Sequence, residues 1–91
     1  MVTADLDAQR RILNRLKRAS GQLTAVIAAV ETGGNCREVV TQLSAVSSAI
    51  DRAGFAIIAT AMKDCLVDPD AAEAQGGVTP EELEKLFLML A

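Results

Sequence analysis

Two side chains in this sequence carry soft, nucleophilic chemistry: Cys36 and Cys65. No histidine accompanies them. Cys36 stands in "GGNCREVV", residues 33–40, and Cys65 follows 29 positions later. The two glycines end one helix and Asn35 is a good N-cap for the next, so Cys36 falls at a first helical position. Unpaired amides, the positive end of the helix dipole and adjacent Arg37 favour the thiolate there. Such a thiolate can attack an electrophile or bind a metal. A cysteine enzyme normally needs a positioned base, and no histidine exists to serve. A structural zinc site needs four ligands, whereas this chain offers two cysteines and no CxxC pair.

The helix that starts at Cys36 shows no strong breaker before Cys65. At about 1.5 Å per residue, the two positions lie roughly 43 Å apart along it. A disulfide needs Cα atoms about 5.5 Å apart. The pair cannot meet within one chain unless that helix breaks. In an antiparallel, two-fold dimer each Cys36 would face the Cys65 of the second copy. The spacing is equally compatible with two ordinary buried cysteines, because a free cysteine packs as a small hydrophobe.

A second cluster is basic. Arg10, Arg11, Arg15, Lys17 and Arg18 crowd one stretch near the N-terminus, although the net charge of the chain is −3. Arg11, Arg15, Arg18 and Gln22 are spaced 4, 3, 4 and share a helical face, with Asn14 and Lys17 beside them. That face suits phosphate contacts, and it is also what a solvated helix surface looks like. No helix-turn-helix, zinc finger or basic zipper is present. With two Phe, no Tyr and no Trp, the chain lacks the stacking platforms of single-strand readers.

The elements that position these residues are helical. Ile12, Leu16, Ala19, Leu23, Val26 and Val30 recur at 4, 3, 4, 3, 4 and predict a first helix over about 5–32 with a heptad seam. Gly33 and Gly34 end it. Asn35 and Glu38 read as a capping box opening a second helix, about 36–66. Val39, Leu43, Val46, Ile50 and Ile57 give it one apolar face, and Val40, Ala53, Ala56 and Ile58 widen that face. Gly54 is expected to bend or loosen it. An acidic linker, 67–79, leads to a third helix, about 80–90, opened by Thr79, Pro80 and Glu82. Leu83, Leu86, Phe87 and Leu90 form its stripe. Eleven residues are too few to hold a helix alone, so this one must dock.

Ninety-one residues, 51% of them hydrophobic, make a single all-α domain that spans 1–91. A domain this small cannot hide that much apolar surface, so an oligomer is expected. No signal-peptide pattern opens the chain, and the longest apolar run, "AGFAIIATAM", is about half the ~20 residues of a membrane span. A cytoplasmic protein with reduced thiols and no membrane association is the expectation.

This order of features resembles the CsoR/RcnR family of bacterial ligand-responsive transcriptional repressors. "NRLKRASGQL" is similar to that family's first-helix signature, and Cys36, Ala61 and Cys65 fall where its sensing ligands lie. The resemblance covers nearly the whole chain. It implies a DNA-binding repressor and not an enzyme, built as an antiparallel helical-bundle dimer that pairs into a disc-shaped tetramer. Double-stranded operator DNA would lie against basic surface, with Arg15 and Arg52 matching positions that carry affinity and Lys17, Arg18 and Arg11 in support. Asn35 and Glu81 match positions that link site to allosteric change.

The chain departs from the family's copper sensors at one position. They place Cys, His and Cys at the three sensing positions, and here the middle one is Ala61. The nickel, cobalt and formaldehyde branches use histidines that this chain lacks. What remains resembles the persulfide-sensing, CstR-like branch, which keeps two cysteines. Three readings stay open: a repressor switched by persulfide or oxidant chemistry at Cys36 and Cys65 of a second chain, a repressor using the same two cysteines for Cu(I) as effector, and a helical interaction module with structural cysteines. None requires a resident cofactor.

Overall fold

The computed structural model describes residues 5–68, 70 and 77–91. Among the described residues three helices carry the fold: α1 (Leu6–Glu31), α2 (Cys36–Val67) and α3 (Pro80–Leu90). No strand occurs among the described residues. Most of the linker expected over 67–79 lies outside them.

Each boundary has a local cause. Asp5 caps α1 by accepting from the Asp7 and Ala8 amides at 3.0 and 3.1 Å. These bonds, the Ala8 amide foremost, hold its carboxyl below the ordinary carboxylate range. At the other end Gly33 takes φ +74°. Its amide donates to the Val30 carbonyl at 3.2 Å, and the Gly34 amide donates to the Ala29 carbonyl at 2.8 Å. That is a Schellman ending, and the left-handed residue it needs is glycine. Only four residues, 32–35, separate α1 from α2, so the two helices fold back as an antiparallel hairpin. Asn35 then accepts from the Glu38 amide at 2.9 Å. At α3 the capping box is complete in both directions between Thr79 and Glu82.

The core of the hairpin is narrow. Ala8, Ile12, Ala19 and Val26 of α1 are buried, as are Val46, Ala53, Ile58 and Cys65 of α2. The heptad seam expected on α1 is therefore only half used within the chain. Ile12, Ala19 and Val26 pack inward, while Leu16, Leu23 and Val30 stay exposed. On α2, Leu43 and Ile50 are likewise exposed, at 48% each. α3 lies on the C-terminal half of α2 through buried Leu83 and through Phe87, whose ring is 5.7 Å from that of Phe55.

Gly54 does not break α2, which runs unbroken from Cys36 to Val67. α3 approaches closely there: a Cβ would come within 2.9 Å of Leu90 Cδ1, the end of a flexible side chain. By length and apolarity alone α2 could cross a membrane, which the short run "AGFAIIATAM" did not suggest. α1 and α3 pack against parts of it and leave much of its apolar surface exposed.

Candidate functional site

Cys36 is the first residue of α2, exposed, with Asn35 capping the helix beside it. Cys65 is buried, 7% accessible, in the last turn of the same helix. Because α2 is continuous between them, one chain does not bring the two thiols together. Ala61 is half-buried one turn before Cys65 and contributes a methyl group. Among the described residues no group of three or more His, Cys, Asp or Glu could hold a metal ion.

The α2 face that carries Cys36 continues as a stripe. Cys36, Val40, Leu43, Ser47, Ile50, Gly54, Ile57 and Ala61 recur at 4, 3, 4, 3, 4, 3, 4, and Cys65 lies one further step of four on. This is the periodicity of a helix seam. Its N-terminal half has no partner within the chain: Val40, Leu43 and Ile50 are all exposed. The two cysteines thus mark the ends of one apolar stripe.

Cys65 also faces a cavity that sequence reasoning did not find. It has a volume of about 430 Å³ and lies between α2 and α3, with Ile58, Met62, Pro80, Leu83 and Phe87 among its walls. The signal was weak, because it depends on where α3 docks. Ile58, Met62 and Cys65 do share one helical face at steps of 4 and 3.

The basic residues are all at the surface. Arg11, Arg15, Lys17 and Arg18 of α1 and Arg52 of α2 are exposed. Arg15 precedes Thr32 by 17 residues and Arg52 follows Asn35 by 17. In an antiparallel hairpin this sets them level, roughly 26 Å from the turn. Asn35 and Glu81 are not brought together: Asn35 opens α2, whereas Glu81 lies in the first turn of α3, at the opposite end. The Asn35 side-chain oxygen is engaged with the Glu38 amide.

The sequence model of a family described as metal-sensitive transcriptional repressors matches residues 8–90. Among curated proteins, the copper-sensing transcriptional repressor CsoR of Mycobacterium ulcerans is 39% identical over 59 residues, covering 65% of this chain and 50% of that protein. The chain thus matches half the length of that relative. The copper-sensing transcriptional repressor CsoR of Mycobacterium tuberculosis H37Rv is 30% identical over 83 residues, 90% of this chain and 69% of the relative. An uncharacterized protein of Bacillus subtilis, YrkD, is 51% identical over 37 residues, 41% of this chain and 59% of that protein. No solved structure matches the chain.

Proposed function

The chain belongs to the family of metal-sensitive transcriptional repressors, and from that premise we propose that it binds operator DNA and is released by thiol chemistry at Cys36 and the Cys65 of a second copy. The observation that carries this reading is the apolar stripe ending in a cysteine at each end. Laid antiparallel on a second copy about a two-fold axis between Ile50 and Asp51, the stripe pairs Cys36 with Cys65 and Val40 with Ala61 of the other chain. Both pairs sum to the same register, and the contact covers apolar residues that one chain leaves in water. A dimer then holds two equivalent thiol pairs.

The effector reading favoured is a sulfane sulfur donor. Residue 61 adds only a methyl group beside the thiol pair, so the chemistry belongs to two sulfurs. Cys36 is exposed and reacts first. Its thiolate attacks the terminal sulfur of an organic persulfide, R–S–SH. The S–S bond of the donor breaks, R–S⁻ leaves as a thiol, and Cys36 carries the persulfide. The Cys65 thiolate of the second copy then attacks the Cys36 Sγ and expels hydrosulfide, leaving a disulfide between chains. Two cysteine thiols are oxidised by two electrons, and the donor is reduced to R–SH and H₂S. Cytosolic thiols reverse the link. The cross-link fixes the two α2 helices against each other, and the exposed arginines on the hairpins must shift relative to DNA.

A second reading rests on relatives named copper-sensing repressors, the two CsoR proteins described above among them. Two thiolates are soft ligands that suit Cu(I), so the same pair could hold it in near-linear fashion without a third donor.

The test treats the protein with an organic persulfide or with Cu(I) and follows binding to DNA from upstream of its own gene. Persulfide should give a two-chain band on non-reducing gels, a Cys36–Cys65 link by mass spectrometry, and loss of DNA affinity. Cys36→Ser and Cys65→Ser should each remove all three. If no band forms, while one Cu(I) per chain binds and releases DNA, the copper reading replaces the persulfide one. If neither reagent changes DNA binding, the thiols are packing residues and the reading fails.

A further inference from the structure

The two thiols live in different surroundings, and α3 makes the difference. Cys36 is open to solvent at a helix start, with Arg37 beside it. Cys65 is 7% accessible and lines an apolar pocket of about 430 Å³ between α2 and α3 that opens to solvent past Met62 and Leu66. That cavity is walled by hydrocarbon, and the one charged residue among its described lining is an acid, Glu84. Its outer wall is Leu83, buried at 7%, with Phe87 beside it. α3 is held there at both ends. Pro80 and Leu83 sit against the Cys65 end of α2, and Leu90 rests on Gly54, whose missing Cβ leaves the space.

We infer that docked α3 is a selectivity wall for Cys65, one that admits small uncharged thiol-reactive molecules and refuses anionic ones. An anion entering an apolar cavity loses its hydration without gaining a partner, and Glu84 repels it further. A neutral reagent of similar size pays neither cost. This deepens the proposed function and rests on it only in taking Cys65 as the second thiol. Its consequence there is an order of events. A persulfide that carries a carboxylate can modify exposed Cys36 but not Cys65. Cys65 is thereby kept as a free thiol to resolve the Cys36 persulfide, and the reaction ends in a cross-link rather than in two separately capped cysteines.

The experiment needs neither DNA nor a sulfur donor, so it can fail independently of the repressor reading. Iodoacetamide and iodoacetate are close in size and differ in charge, and each is attacked by a thiolate with loss of iodide. Rates are followed by intact mass on full-length Cys36→Ser, which retains Cys65, and on Cys65→Ser, which retains Cys36. The amide-to-acetate rate ratio should be larger at Cys65 than at Cys36 by about tenfold or more. In denaturant the two ratios should coincide. Leu83→Ala, added to Cys36→Ser, should raise the iodoacetate rate at Cys65 several-fold and pull its ratio toward that of Cys36. Leu88→Ala, on the exposed side of α3, should leave the ratio where it was. Equal ratios at the two cysteines in the folded protein overturn the inference. So does a ratio at Cys65 that Leu83→Ala leaves unchanged while circular dichroism shows the hairpin intact.

Discussion

At the scale of single residues, the chain separates two kinds of polar chemistry. Thiols terminate the α2 stripe, and guanidinium groups stand off the hairpin surface. Arg15 and Arg52 are exposed and lie level across the hairpin, and the proposed reading sets both against operator DNA. Neither supports the core. Arg15→Ala and Arg52→Ala should therefore leave the helical content and melting temperature near those of the parent. Each should weaken operator binding and flatten the slope of log affinity against log salt by ~0.9, the release of one condensed counterion. Titrations at four salt concentrations give the slope directly. An unchanged slope for both variants would remove these arginines from the DNA surface.

At the scale of elements, most boundaries were legible because each is written by one or two residues. Asn35 and Thr79 read as caps in the sequence, and both accept backbone amides at helix starts; Asp5 does the same for α1, where the sequence reading names no cap. The Asn35–Glu38 box was read as reciprocal, and its Asn35 half is the bond described. Faces were less legible than ends. A heptad pattern says that a helix wants partners but not which chain supplies them, so the α1 seam was read as one surface. The fold splits it between α2 and the exterior. At Gly54 the sequence suggested a bend or a weak point, and the structure adds a close approach that no sequence pattern announces, since it depends on the docked position of Leu90. Glycine also gives this scale its prediction, since one substitution should have opposite signs at two sites. Gly33 holds φ +74° at the end of α1, so Gly33→Ala should destabilise by about 1 kcal/mol. Gly21 is exposed within α1, and nothing lies within 4 Å of a Cβ there. Gly21→Ala should stabilise by roughly 0.8 kcal/mol through helix propensity. Urea midpoints of the two variants against the parent measure both, and a Gly33→Ala variant as stable as the parent would contradict the Schellman ending.

At the scale of the whole molecule, one chain is an incomplete object. Its Cα radius of gyration is 16.5 Å, where a compact domain of this length has about 12 Å. Its accessible surface is 6683 Å², against roughly 5,100 Å² for a compact monomer of this mass. The excess is apolar and ordered rather than scattered. Besides the α2 stripe, α1 carries a second one: Leu6, Leu13, Leu16, Ser20, Leu23, Ile27 and Val30, spaced 7, 3, 4, 3, 4, 3. Every large residue in it is exposed. Two stripes on different helices make two interfaces. On the proposed reading the α2 stripe, with a cysteine at each end, would serve a two-fold dimer, and the α1 stripe would join dimers. The expected particle is a tetramer of four 9.6 kDa chains, about 38 kDa by light scattering at micromolar concentration. Charges placed on the stripes should take it apart in different ways. Ile50→Glu lies at the centre of the α2 stripe, so it should lower the mass and abolish the persulfide cross-link even though both cysteines remain. Leu23→Glu lies on the α1 stripe, so it should lower the mass to a dimer that still cross-links. If the parent chain scatters as a 9.6 kDa particle, neither stripe is an interface. If Ile50→Glu still cross-links as fast as the parent, the thiols meet through some other face.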